Sequence, residues 1–257
     1  MQDAIAFVPT MGALHAGHLS LIKRAGELST NVVVSIFVNP LQFADKVDLD
    51  NYPRDLAGDT AKAIEAGATR VWAPEYQEIY PDGIVKISAG KVGEIYEGRN
   101  RSGHFEGVLA VISRFFEILQ PRYALFGEKD FQQLFIVKKW VRENEIPVQI
   151  ISVPTSRDND GLALSSRNIR LSAADRRCAL IINRALRATT RNEMLKTLMT
   201  EPNFQLDYAE VIDEENFEIA DSDTGSQRGI IAGWVNGVRL IDNMPMGRVH
   251  HHSSRAV

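Results

Sequence analysis

Residues Asn31–Val38 read NVVVSIFV, an almost unbroken run of β-branched and apolar side chains. A run this short and this uniform suits a strand buried on both faces, which a parallel sheet with helices on each side provides. Strand-like runs recur at Ala4–Val8, Thr69–Trp72, Tyr123–Phe126 and Gln149–Val153. Helix-periodic stretches lie between them, at Gly17–Leu28, Arg54–Ala66, Val108–Leu119 and Asp130–Asn144. This alternation predicts an α/β protein with a Rossmann-like doubly wound parallel sheet. A further strand is expected at Val85–Ser88, and Gly98–Gly107 (GRNRSGHFEG) reads as a polar, basic loop. Asp130 is expected to cap the helix it opens.

After Pro154 the character changes. A polar loop, SRDNDGLALSSRN, leads to a helix expected from Ala173 to about Thr190, with a basic face. Three strands follow, at Leu206–Ile212, Arg228–Val235 and Val238–Ile241, the last two joined by Asn236-Gly237, a type I′ hairpin signal. The boundary is placed after Ser156, giving domains 1–156 and 157–257, the second a smaller α+β lid unit. The tail GRVHHHSSRAV reads as disordered, and His250–His252 as a flexible end or tag remnant rather than a metal site.

The totals exclude several functions. A net charge of −4 argues against a broad nucleic-acid surface. The single Cys178 rules out an internal disulfide, a CxxC redox pair and a multi-Cys zinc site, and its helical surroundings suggest a buried, inert thiol. No apolar run reaches the roughly 18 residues of a membrane span, and no secretory signal is visible. No membrane partner and a cytoplasmic location are therefore expected. The chain lacks G-x-x-x-x-G-K-[ST], G-x-G-x-x-G and G-x-S-x-G, so neither a Walker kinase, a dinucleotide oxidoreductase nor a serine hydrolase is indicated.

Candidate chemistry gathers at strand ends. FVPTMGALHAGHLSL (Phe7–Leu21) is a strand, a turn with Gly12, and a helix start carrying His15 and His18. A helix N-terminus attracts phosphate, side chains at i and i+3 face one ligand, and Gly17 would let that ligand approach the backbone. Such histidines also occur as satisfied structural groups, and the motif alone does not decide. Asn39 and Gln42 follow the Asn31–Val38 strand, at the sheet edge where open α/β proteins bind ligands. In GEKD (Gly127–Asp130) Lys129 offers a mobile charge for polyphosphate and Asp130 an acceptor for ribose hydroxyls, or the two are a solvated pair. Gln132 and Gln133 open the next helix, and at least one is expected to face the ligand. LSSRN (Leu164–Asn168) sets two hydroxyls and a guanidinium together, as a loop closing on a triphosphate would, or as an ordinary turn.

The blocks FVPTMGALHAGHLSL, FVNPLQF, YPRD, RSGHFEGVLAV, LFGEKDFQQL, PTSRDNDGLALSSRN and VRLIDN, in that order, resemble the pantoate–β-alanine ligase family over about residues 4 to 243. The family belongs to the HxGH nucleotidylyl transferases. The resemblance implies a two-step reaction: pantoate attacks the α-phosphate of ATP, giving pantoyl adenylate and pyrophosphate, and β-alanine then displaces AMP to give pantothenate. It also implies Mg²⁺ and a homodimer. Carried over by motif, His15 and His18 contact the phosphates and Lys129 holds the outer ones. Ser165, Ser166 and Arg167 close over them. Gly127 and Asp130 bind ribose. Adenine rests near Phe126, Ser156 and Leu164. Met11 and Gly12 border the ATP, Gln42 and Gln133 bond pantoate with Met11 packing nearby, and Asn39 sits at the pantoate and β-alanine end. Asp59 is a magnesium position, and Tyr52, Arg101 and His104 are further candidates.

The sequence departs from the family pattern in three places. The first strand begins close to Met1 where the family carries a longer leader. Leu164 stands where methionine is commoner, and Gly58 stands where some members place a second acid. Two alternatives are weighed. A different HxGH adenylyltransferase with a phosphate-bearing acceptor would need basic residues where Asn39, Gln42 and Gln133 stand. The other is a non-catalytic nucleotide-binding paralogue.

Overall fold

The structure, a computed structural model, describes residues 4–43, 46–221 and 224–246. The tail with His250–His252 lies outside the described residues. The chain divides into two units. The first holds the residues up to Arg157 and again Leu164–Ser166; the second holds Asp158–Ala163 and the residues from Arg167 on.

In the first unit, strand β1 (Ile5–Thr10) runs into helix α1 (Ala16–Leu28) and returns as β2 (Asn31–Ile36). A short helix α2 (Lys46–Asp50) precedes α3 (Leu56–Glu65) and β3 (Arg70–Trp72). One-turn helices α4 (Tyr76–Ile79) and α5 (Glu97–Asn100) lead to the long α6 (His104–Leu119). Strand β4 (Tyr123–Gly127), helix α7 (Phe131–Glu143) and strand β5 (Gln149–Val153) complete it. The sheet is parallel throughout, in the order β3-β2-β1-β4-β5. The chain winds outward from β1 to β3, then comes back to place β4 on the other side of β1. That reversal opens a crevice past the carboxyl ends of β1 and β4, where open α/β sheets bind ligands.

Alternation along the strands fills both faces, as the run at Asn31–Val38 requires. Phe7 and Val33 join Phe105, Leu109 and Phe115 on one side. Ala6, Val8, Val32 and Val34 join Leu21, Ile22 and Ala25 of α1 on the other. Each large side chain so buried contributes about 1.5–3 kcal/mol, so β1 is held rigidly where it delivers the loop to α1.

Three local expectations need correction. Val85–Ser88 forms no strand; Ile84 and Val85 are exposed and pair with no sheet edge. The stretch Gly98–Gly107 is not one loop, because α5 occupies its start and α6 already begins at His104. Gly107 sits inside that helix because a Cβ there would lie 2.4 Å from the Leu41 carbonyl oxygen. Asp130 makes no side-chain cap; a 3-10 turn, Glu128–Asp130, runs directly into α7.

In the second unit, helix α8 (Ala173–Ala185) stops short of the expected Thr190. Thr190 instead caps a separate helix, α9 (Arg191–Leu198), by accepting the Glu193 N–H. Strands β6 (Phe204–Asp213), β7 (Gln227–Val235) and β8 (Val238–Met246) form an antiparallel sheet in that order. Asn236 and Gly237 take φ of 47° and 75°, the type I′ geometry their sequence predicts. Cys178 is buried in this unit's core as expected, and burial pushes its thiol up to about 11.

Candidate active site

The loop Thr10–His15 carries β1 into α1 through two residues of positive φ, Gly12 (85°) and Ala13 (52°). The turn delivers His15 to the N-cap of α1. The Gly17 N–H donates to His15 Nδ1 (3.1 Å), and the His15 N–H donates to His18 Nδ1 (3.3 Å). This is a capping box built from two imidazoles, and the rings lie 4.1 Å apart. Gly17 also serves the fold of the motif. A Cβ there would meet the His15 ring at 2.9 Å, so the glycine makes room for that ring.

With each Nδ1 accepting a backbone N–H, a neutral ring carries its proton on Nε2. The neutral form is enforced. Burial, and after it the Lys129 ammonium, depresses His15 to about 4. Burial, and after it the neighbouring His15, depresses His18 to about 3. Asp130 pulls both the other way without overcoming burial. At neutral pH the pair therefore offers two N–H donors and no positive charge. Lys129 brings a cation to this edge, mostly buried, with its Nζ 3.6 Å from Asp130 Oδ1. Lys129 and Asp130 leave β4 beside β1, which brings GEKD to the histidines across the topological switch.

The other candidates fall into distinct environments. Phe126 is buried at the end of β4 and Gly127 closes that strand. Ser156 lies 3.2 Å, hydroxyl to hydroxyl, from Ser20 of α1, and its carbonyl accepts the Leu164 N–H (2.9 Å). Leu164, Ser165 and Ser166 belong to the first unit, whereas Arg167 falls in the second, within the 3-10 turn Ser166–Arg170. Met11 is half-buried beside Gly12.

Gln42 and Gln133 are the open polar groups. Gln42 is 8% exposed, and neither side-chain amide makes a hydrogen bond to the described residues. Gln132 does the opposite work. Its Oε1 accepts the Glu97 N–H (3.1 Å), and its Nε2 donates to the Val92 and Ile95 carbonyls (2.7 and 2.8 Å).

Asn39, Arg101 and His104, expected as ligand contacts, hold the Gln42 turn. Asn39 is fully buried; its Nδ2 donates to the Gly107 carbonyl, and its Oδ1 accepts from the Leu41 N–H and the Tyr80 hydroxyl. Arg101 Nη2 and His104 Nδ1 both donate to the Gln42 carbonyl, at 3.1 and 2.9 Å. The 3-10 turn Pro40–Gln42 is thus clamped from α6 and from the segment before it.

Asp59 was expected to serve magnesium, and the observed surroundings do not fit that ion. Asp59 is 1% exposed, and its oxygens accept the N–H groups of Ala13 (2.6 Å) and Leu14 (2.8 Å). Lys62 Nζ stands 3.6 Å from Oδ1. Magnesium keeps several waters and a strict octahedron, whereas this buried carboxylate is already engaged by two main-chain N–H groups with an ammonium beside it. Among the described residues, no group of three His, Cys, Asp or Glu side chains gathers as a metal site.

Sheet order, a reversal between β1 and β4, and an HxGH pair at the crevice define a Rossmann-like α/β protein of the HxGH kind. A family model described as Pantoate-beta-alanine ligase matches residues 1–245. The pantothenate synthetase of Acidothermus cellulolyticus is 46% identical, over 96% of this chain and 86% of the relative. That of Thermus thermophilus is 43% identical, over 95% and 93%. The crystal structure of the Thermus thermophilus pantothenate synthetase aligns with TM-score 0.88 at 42% identity, covering 94% of this chain and 92% of that one. A pantoate-beta-alanine ligase from Francisella tularensis, complexed with beta-gamma ATP and beta-alanine, aligns with TM-score 0.80 at 36% identity, covering 95% and 90%. The chain belongs to the pantoate–β-alanine ligase family, enzymes that join pantoate to β-alanine. No helix among the described residues is long and apolar enough to cross a membrane.

Proposed function

We propose that the ligation runs through pantoyl adenylate and that the HxGH edge catalyses its formation. A pantoate carboxylate oxygen attacks the α-phosphorus of ATP. The bond to the bridging oxygen of the β-phosphate breaks, and pyrophosphate leaves. The β-alanine amine then attacks the acyl carbon, AMP departs, and the amine loses its proton. Neither step needs a protein nucleophile; both need alignment and charge neutralisation. ATP and β-alanine as substrates are supported by the Francisella tularensis complex.

The observation that carries this reading is the pair of neutral, Nε2-protonated imidazoles beside Lys129. Fixed N–H donors stabilise charge growing on phosphate oxygens without reorganising. Lys129 supplies the positive charge that the rings do not. Asp130 and Gly127 take the ribose, and Phe126, Ser156 and Leu164 border the adenine. Ser165, Ser166 and Arg167 take the outer phosphates, a role that rests on the LSSRN motif. The amides of Gln42 and Gln133, which bond none of the described residues, suit the hydroxyls and carboxylate of pantoate. Magnesium enters as companion of the triphosphate substrate. The homodimer rests on the family resemblance and the cytoplasmic location on the sequence reading; sedimentation tests the first and cell fractionation the second.

A different HxGH adenylyltransferase and a non-catalytic paralogue are not favoured, because the family model and both relatives name this ligation. Incubation with ATP, Mg²⁺ and pantoate tests the reading. Pyrophosphate should appear only when pantoate is present, and pantothenate with AMP only after β-alanine is added. Pyrophosphate formed equally without pantoate, or none with it, overturns the assignment.

A further inference from the structure

Helix α3 grips three main-chain groups of the HxGH loop, all from Ala13 and Leu14. Asp59 Oδ2 accepts the Ala13 N–H at 2.6 Å and Asp59 Oδ1 accepts the Leu14 N–H at 2.8 Å. One turn along, Lys62 Nζ donates to the Leu14 carbonyl at 3.3 Å. His15 is the next residue. Ala13 holds φ of 52°, a left-handed conformation that a side chain with a Cβ avoids, so something outside the loop must maintain it. The carboxylate fills the space beside Gly12 as well: a Cβ there would lie 3.0 Å from Asp59 Oδ2. Asp59 sits in the first turn of α3, where the helix dipole favours a carboxylate.

We infer that Asp59, with Lys62, is a positioning residue of the adenylation step: it holds the strained Gly12–Leu14 loop so that α1 begins with His15 and His18 in their paired arrangement. The contacts span 45 and 46 residues of sequence, and they use both carboxylate oxygens. A metal ligand would instead present a lone pair to an ion with room for its waters. The inference rests on the reading of the two histidines as phosphate ligands.

The test uses the full-length enzyme with two readouts. One is the Mg²⁺ dependence of pantoate-dependent ATP–pyrophosphate exchange. The other is the nitrogen-15 spectrum of the histidine rings, which needs no turnover. In Asp59→Asn, the amide N–H₂ faces a backbone N–H. Turnover should fall on the order of 100-fold, as for a site displaced by about 1 Å. The half-saturating Mg²⁺ should stay within about twofold of wild type, and the His15 and His18 nitrogen shifts should depart from the Nε2–H pattern. A half-saturating Mg²⁺ raised about tenfold or more, the effect of a lost metal contact, with the rate restored at high Mg²⁺, makes Asp59 a metal ligand and overturns the inference. Unchanged rate and unchanged ring shifts overturn it too.

Lys62→Met covers the case in which Asp59→Asn does not fold, because the Lys62 side chain is 47% exposed. It should lower turnover severalfold at unchanged Mg²⁺ requirement. A lowered Mg²⁺ requirement would mean that an ammonium had been repelling a resident ion, and the inference fails. If wild type shows no exchange, the functional reading fails by itself, while the ring spectra still decide the clamp.

Discussion

The His15 main-chain N–H donates to Nδ1 of His18 at 3.3 Å, so the backbone of the first histidine orients the ring of the second. The Gly17 N–H does the same for His15. The N-cap N–H and one N–H of the first turn are thus spent on the imidazoles, and each ring presents its Nε2–H as a further donor beside the helix end.

This arrangement sets the pH behaviour. Both histidines are held well below their usual 6.5, at about 4 and about 3. Well above pH 6.5 neither the folded nor the unfolded chain protonates them. As pH falls from about 6.5 toward 3, the unfolded chain binds protons that the folded one refuses, so the folded state loses stability over that window. Melting temperature should drop more steeply across it in wild type than in His18→Asn, which keeps an acceptor and removes a titrating group. The adenylation rate should show no histidine inflection near pH 6.5. An inflection there contradicts the neutral pair.

His18→Ala and Lys129→Met should lose far more activity than stability. Removing one transition-state donor costs about 10²–10³ in rate, whereas losing a cap costs about 1 kcal/mol of stability. Pantoate-dependent exchange and thermal melting on the same preparations separate the two. Comparable losses in both would make these residues structural.

Adjacent glutamines should behave in opposite ways. Gln132→Ala abandons three main-chain partners around α5 and should cost about 1–3 kcal/mol of stability with the pantoate KM little changed. Gln133→Ala breaks no hydrogen bond to the described residues and should raise the pantoate KM with melting nearly unaltered. The reverse pattern would exchange their roles.

Asn39→Ala should destabilise by about 1–3 kcal/mol, because it strands the Gly107 carbonyl, the Leu41 N–H and the Tyr80 hydroxyl in a buried place. His104→Ala should loosen the same turn through the Gln42 carbonyl. Both should raise the pantoate KM as well. A change in β-alanine KM alone, with normal melting, would restore the direct-contact role expected of Asn39.

The layout of the first unit was legible because it follows from local pattern. The uniform run at Asn31–Val38 demands a sheet covered on both faces, and His15 and His18 are visible by their place between a strand and a helix. Asn236-Gly237 declares its hairpin by backbone preference alone. What stayed hidden depends on partners far along the chain. Nothing local distinguishes Gln132, which bonds a backbone N–H 35 residues earlier, from Gln133 beside it. Asp59 reads as an acid on a helix until its contacts with Ala13 and Leu14 are seen. Thr190 reads as the end of the preceding helix because a hydroxyl that caps a new helix also tolerates a helix end.

The most direct measurement follows an oxygen atom. Pantoate carrying oxygen-18 in its carboxylate is turned over with ATP and β-alanine, and the AMP is analysed by mass. Attack on the α-phosphorus at the HxGH site moves one labelled oxygen into the AMP phosphoryl group, and pyrophosphate stays unlabelled. AMP without label, or label in pyrophosphate or inorganic phosphate, contradicts the acyl adenylate.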